Sequence, residues 1–305
     1  MVYCTIFFGK GGMKMDYDRK DAARVSELLG CALLFAMLMQ LTFSLWINRE
    51  SALTAEQLLI SKTALLTVFL LPSVWGVWKI RRAEIRLPAF SHGAGLNKRL
   101  ALMLSTFGSI VIIQILYESI FPSAMKPMGV ASDMTATKLF FLFLFSTVIP
   151  AVAEEIFFRG FFMRCMRVFR ASLAVLMSAL VYALMYFSVE GFPLYFVTGL
   201  LIGMAYMATN SLTTVIGISF LCKSFRFLEE TVGVFMPDGY APLVQGGLTV
   251  CVLLSAAGLP YLKENMRAFF DNDDETAIPS AYFWTVPTVL FVVLAVAIQL
   301  LIRPS

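Results

Sequence analysis

Nine apolar runs separated by short charged stretches constrain this chain more than any other feature. They cover residues 28–48, 57–78, 100–117, 139–158, 171–189, 192–209, 211–222, 239–262 and 282–302. A helix needs about 20 apolar residues to cross a bilayer. In lipid the backbone must satisfy its own hydrogen bonds, so a spanning segment of this kind is helical. The expected fold class is therefore all-α, a polytopic transmembrane helical bundle of eight or nine spans. The count turns on residues 191–222, which carry no charge. That stretch is too long for one untilted span at about 1.5 Å per residue. It is expected to divide near Asn210-Ser211, where side chains compete with the helix backbone. The run 211–222 is short, and either extends past Lys223 or forms a partial helix.

Composition excludes the alternatives. The chain has 305 residues, 59% apolar and 14% charged, where soluble domains show about 45–50% and about 25%. Mean hydropathy is +0.80. A soluble fold of this size has too much surface to hide that apolar content. Soluble enzymes, disordered chains, fibres and nucleic-acid binders are ruled out, and the lipid bilayer is the expected partner. A net charge of +4 needs no polyanion, because basic residues flank membrane spans.

The basic residues also predict an orientation. With the N-terminus inside, the inner segments hold Lys10, Lys14, Arg19, Lys20, Arg24, Lys79, Arg81, Arg82, Arg86, Lys98, Arg99, Arg159, Arg164, Arg167, Arg170, Lys263 and Arg267. The outer segments hold Arg49, Lys62, Lys126, Lys138, Lys223, Arg226 and Arg303. This asymmetry favours a cytoplasmic N-terminus, in the plasma membrane. Residues 1–27 read as a cytoplasmic segment rather than a signal peptide, with Met13 or Met15 as alternative starts. Residues 28–305 read as one membrane domain. Residues 264–275 read as an acidic, solvated loop. The five cysteines, Cys4, Cys31, Cys165, Cys222 and Cys251, show no paired spacing, so neither a disulfide framework nor a cysteine metal site is expected. The 17 methionines and 28 phenylalanines read as lipid-facing and core filler.

Glu154, Glu155 and Arg159 are the exception to this pattern. They follow the uncharged residues 139–153, in PAVAEEIFFRGFF. A charge at membrane depth costs at least about 2.5–3.5 kcal/mol. Three together should face protein or water and be paired. Glu155 and Arg159 are i,i+4 with the acid first, the favourable order. Glu154 lies about 100° away round the helix and needs a partner elsewhere in the bundle. An apolar site suits a carboxylate to general-base work on a water. Spacing alone fits equally well a placement near the interface, with Arg159 opening the basic cluster.

Glu154-Glu155-x-x-x-Arg159, followed by Gly160, resembles the EExxxR motif of the CPBP family, the CAAX proteases and bacteriocin-processing (Abi) membrane proteins. The resemblance covers roughly residues 100–225. Gly199-Leu200-x-x-Gly203 and Thr209-Asn210-Ser211-Leu212 are similar to the family's connecting sequence, and a GxxxG spacing lets helices approach closely. The resemblance implies a bundle of about eight spans and intramembrane endopeptidase activity on a prenylated or hydrophobic peptide. It implies Glu154 as general base on a water, with Glu155 and Arg159 positioning the site. Two histidines and an asparagine on later helices hold a metal, or the water and oxyanion.

Those later motifs are replaced here. Tyr182-Ala-Leu-Met-Tyr186 stands where the family has FxxxH, and Ser219-Phe-Leu-Cys-Lys223 where it has HxxxN. Both histidines are missing. His92, the single histidine, lies in FSHGAG, far from either motif, and reads as a surface loop residue. No cofactor is called for by the residues. A divalent metal on Glu154, Glu155 and water alone would be weak, closer to a Mg²⁺ site than a zinc one. Tyr186 and Ser219 can hydrogen-bond a water or oxyanion, but neither shuttles protons well near neutral pH. Lys223 either pairs with Glu154 across the bundle, which would replace the water site and quench the base, or snorkels to the surface. Tyr182 and Tyr186 also read as packing residues. Three functions follow: a CPBP-type endopeptidase, a catalytically inactive relative acting as a peptide-binding, immunity or maturation scaffold, and, with least support, a small transporter using the buried carboxylates.

Overall fold

The computed structural model describes residues 19–47, 55–83, 94–122, 130, 132, 134–271 and 283–301. Among the described residues there is no strand, and the helices follow the apolar runs. They are α1 (Arg19–Ile47), α2 (Ala55–Arg82), α3 (Leu96–Ile120), α4 (Ala136–Met166), α5 (Ala171–Met185), α6 (Phe192–Thr209), α7 (Leu212–Phe235), α8 (Pro237–Asp271) and α9 (Val286–Leu301).

Five helical stretches among the described residues are long and apolar enough to cross a membrane: Lys20–Thr42, Leu96–Ile120, Ala136–Met166, Phe192–Thr209 and Pro237–Ala257. The protein is an integral membrane protein. The count falls short of the eight or nine expected for identifiable reasons. Helices α5 and α9 are apolar but shorter, and Lys223, Arg226, Glu229 and Glu230 interrupt α7. The division at Asn210-Ser211 is present. Asn210 takes a left-handed conformation (φ 47°, ψ 33°) and closes α6, as asparagine does where a helix stops. The Ser211 hydroxyl then accepts the Thr214 amide and caps α7. Helix α7 continues well past Lys223. The acidic loop is corrected in part: residues 264–271 continue α8 as helix, because the run ENMRAFFD holds no helix breaker. Its remainder, together with His92, Cys4, Met13 and Met15, lies outside the described residues.

The two ends of the bundle differ in charge. A Cβ at Gly76 would run into the Phe161 ring, so the end of α2 lies beside the end of α4. The Ala94 amide donates to the Thr209 carbonyl, which brings the start of α3 to the end of α6. The Ser26 hydroxyl donates to the Phe283 carbonyl, and Phe283 packs on Phe169. Arg24, Lys79, Arg81, Arg82, Lys98, Arg99, Arg164, Arg167 and Arg170 therefore share one end. At the other end Tyr117 donates to the Glu190 carbonyl and Arg226 pairs with Glu118. Arg159 and Lys223, counted with the flanking charges in the sequence, lie inside the bundle instead.

Three seams place the site. Gly199 and Gly203 let α6 press on α5: a Cβ at Gly199 would stand 2.9 Å from Ala179 Cα, and one at Gly203 3.2 Å from Val175 Cγ1. Phe69 of α2 packs on Phe157 and Phe158 of α4, with ring centroids 5.5 and 5.6 Å away. Helix α8 rests on α3, where Gly108 leaves room for the Cys251 carbonyl and Ser109 meets Ser255 at 3.3 Å.

Candidate functional site

Glu154 and Glu155 end a short α-helical stretch, Ile149–Glu155, flanked by π-helical turns at Leu144–Val148 and Ile156–Met163. Pro150 sits at the start of that stretch, where its missing amide breaks the regular ladder. Such π turns recur at functional sites. The sequence reading assumed a regular helix here; Pro150 inside the apolar run was the available signal.

The two glutamates face different surroundings. Glu155 and Arg159 are both 0% exposed. Arg159 Nη1 donates to Glu155 Oε1 at 3.2 Å, and Nη2 donates to the Gly199 carbonyl at 3.1 Å. The guanidinium lies 5.0 Å from the Tyr182 ring centroid and 5.7 Å from that of Phe158, within cation–π range of both. Ser219 of α7 lies beside Glu155 without closing a well-formed bond, for Glu155 Oε2 and Arg159 Nε are left without partners.

Glu154 is tied to the opposite helices. Lys223 Nζ stands 3.1 Å from Oε2 and donates to Oε1 at 3.2 Å. Tyr186 Oη donates to Glu154 Oε2 at 3.1 Å and accepts from Lys223 Nζ at 3.2 Å. Tyr186 spends its single proton on Glu154, so the 3.1 Å contact with Tyr182 is a donation from Tyr182. Carboxylate, ammonium and phenol thus form a closed triangle. The Tyr195 ring stacks on Tyr186, 3.9 Å between centroids and 14° between planes. Side-chain exposure is 16% for Lys223 and 9% for Glu154, so this corner reaches the surface while Glu155–Arg159 does not.

The expected residues come together, in a particular division. Glu154, Tyr186, Tyr182 and Lys223 form one network; Glu155, Arg159 and Ser219 form its dry neighbour. Lys223 reaches across the bundle rather than snorkelling. Sequence reasoning missed Tyr195, which had no signal beyond an apolar context, and the Gly199 carbonyl, hinted at by the GxxxG spacing.

The residues do not fit the divalent metal that the motif implies. Among the described residues no three His, Cys, Asp or Glu side chains gather as ligands. The nearest cation to Glu154 is the Lys223 ammonium, which occupies both carboxylate oxygens and repels a dication.

An all-helical membrane bundle with a buried Glu-Glu-Arg constellation is the class that fold and site define. Residues 136–225 match the family model described as Rce1-like, type II CAAX prenyl endopeptidase Rce1-like. The matched segment contains all seven candidate residues and is consistent with the CPBP resemblance of the motif, so this stretch of the membrane protein is similar to the CAAX-protease family. No curated protein and no solved structure matches the chain.

Proposed function

We propose that this protein is a catalytically inactive member of the CPBP group, in which the water-activating acid is closed by a lysine and the old chamber serves to hold a hydrophobic or prenylated peptide. One observation carries the reading: Lys223 Nζ at 3.1 Å from Glu154. A general base needs a free lone pair aimed at a water. Here both carboxylate oxygens accept from Lys223 or Tyr186. Loss of a positioned base costs typically 10²–10⁴-fold in rate, and loss of an oxyanion donor about 10²–10³-fold. In this reading Glu155 and Arg159 keep the architecture of the chamber, and Tyr182, Tyr186, Ser219 and Lys223 fill it. The protein works as a peptide-binding, immunity or maturation scaffold in the plasma membrane, as a single membrane domain. The basic end of the bundle supports placing the N-terminus in the cytoplasm.

The retained EExxxR motif and the family match favour a second reading, an active intramembrane endopeptidase. Labelled prenylated and membrane peptides, offered to purified wild type and Glu154→Ala, separate the two. No turnover by either protein is expected, with the peptide bound by both. Wild-type turnover that disappears in Glu154→Ala would falsify the inactive reading.

A further inference from the structure

Gln40 and Gln299 lie outside the matched segment, near opposite ends of the chain, each the single glutamine of its apolar run. A primary amide in lipid needs a polar destination, and theirs is shared. Gln40 Nε2, on α1, donates to the Met185 carbonyl at 2.6 Å. Gln299 Nε2, on α9, donates to the Leu184 carbonyl at 3.3 Å. These two carbonyls belong to the last turn of α5; the Leu184 carbonyl also accepts the Phe187 amide at 3.3 Å, so Gln299 braces the same turn that sets Phe187. Helices α1 and α9 pack against each other, so the two amides approach α5 from one joint support.

The next two residues show what is being held. Tyr186 ends α5 with its amide on the Ala183 carbonyl. Phe187 then adopts φ 47°, a left-handed conformation that is strained for a bulky residue. Such a conformation persists where its surroundings over-determine it. Phe187 is buried, and the two carbonyls just before it are pinned. Between the pinned carbonyls and the left-handed residue sits Tyr186, whose hydroxyl closes the Glu154–Lys223 triangle.

We propose that Gln40 and Gln299 are positioning residues: they fix the end of α5 so that Tyr186 stays on Glu154 and Lys223, and through them the first and last helices control access to the chamber. The functional part of this inference rests on reading Glu154–Lys223 as a closed chamber; the mechanical part does not. Any partner or lipid that shifts α1 or α9 by about a hydrogen-bond length would release Tyr186 and uncover the lysine.

The full chain in lipid nanodiscs is reacted with formaldehyde and cyanoborohydride, and methylation of Lys223 is quantified by mass spectrometry. Maleimide labelling of the buried Cys165 and Cys251 reports general loosening. Gln40→Met and Gln299→Met, which keep side-chain length, should each raise Lys223 labelling about five-fold, and the double variant about twenty-fold, as one or two net hydrogen bonds are lost. Gln299→Asn, too short to reach, should behave like the methionine variant. Thiol labelling should not change. Unchanged Lys223 labelling, or thiols rising in parallel with it, overturns the proposal. Should the variants fail to fold, the wild type decides: amide exchange at Phe187 and Ser188 must track Lys223 labelling across temperature, and independent rates overturn the clamp. Peptide turnover plays no part in this readout, so its outcome is separate from that of hydrolytic silence.

Discussion

Glu154 and Glu155 are adjacent in sequence, yet the bundle treats them differently. Glu155 is wholly enclosed and shares one guanidinium that also reaches the Gly199 carbonyl. Glu154, one residue back, meets an ammonium and a phenol from two other helices, near the protein surface. The first pair is local, four residues apart on one helix. The second joins residues 69 positions apart. A local pair fixes the architecture of its own helix; a distant one decides whether helices can part. In the proposed function, the enclosed pair holds the walls of the chamber, and the distant pair closes it.

The largest expected effect breaks the enclosed pair. Arg159→Leu strands the wholly buried Glu155 charge and should cost about 3–5 kcal/mol, read as loss of the folded fraction in detergent melts. Arg159→Met with Glu155→Gln should recover much of that loss, because removing both charges leaves neither stranded. Next comes the seam that supplies the carbonyl to Arg159. Gly199→Ala brings a Cβ to 2.9 Å of the Ala179 backbone and should destabilise by about 1–3 kcal/mol, more than Gly203→Ala, whose nearest neighbour is the tip of a side chain. Lys223→Met is expected to cost less than Arg159→Leu, since the Glu154 it leaves behind retains Tyr186 and some water. A double-mutant cycle with Glu154→Gln measures that coupling, and equal losses for the two basic residues would erase the distinction drawn between the glutamates. The smallest effect belongs to Tyr182→Phe, which removes one hydrogen bond at the edge of the network, about 0.5–1.5 kcal/mol.

The bundle was legible because lipid imposes long uncharged runs, and runs are visible in one dimension. The stop at Asn210, the extension of α7 and the need of Glu154 for a partner beyond its own helix all follow from that constraint. The membrane count was less legible, because α7 carries four charges, of which Lys223 pairs within the bundle, and α5 is short. The π turns around Ile149–Glu155 were only hinted at by Pro150; where they fall and how far they run depends on how α4 packs rather than on its residues alone. Which glutamate Ser219 faces was not readable either: it lies beside Glu155, as helical rotation of α7 relative to α4 decides, and no spacing rule supplies it. Gln40 and Gln299 were visible as oddities in apolar runs, but their common target is a property of the assembled bundle.

Helix α8 carries a mechanical consequence. Only 6% of its most apolar stretch is buried within the protein, and it is held mainly along the seam of Gly108, Ser109 and Ser255 against α3. The face of α8 turned away from α3 is therefore open to the acyl chains. A load on α8 bears on α3, whose far end carries the Glu118 that anchors Arg226 one turn beyond Lys223.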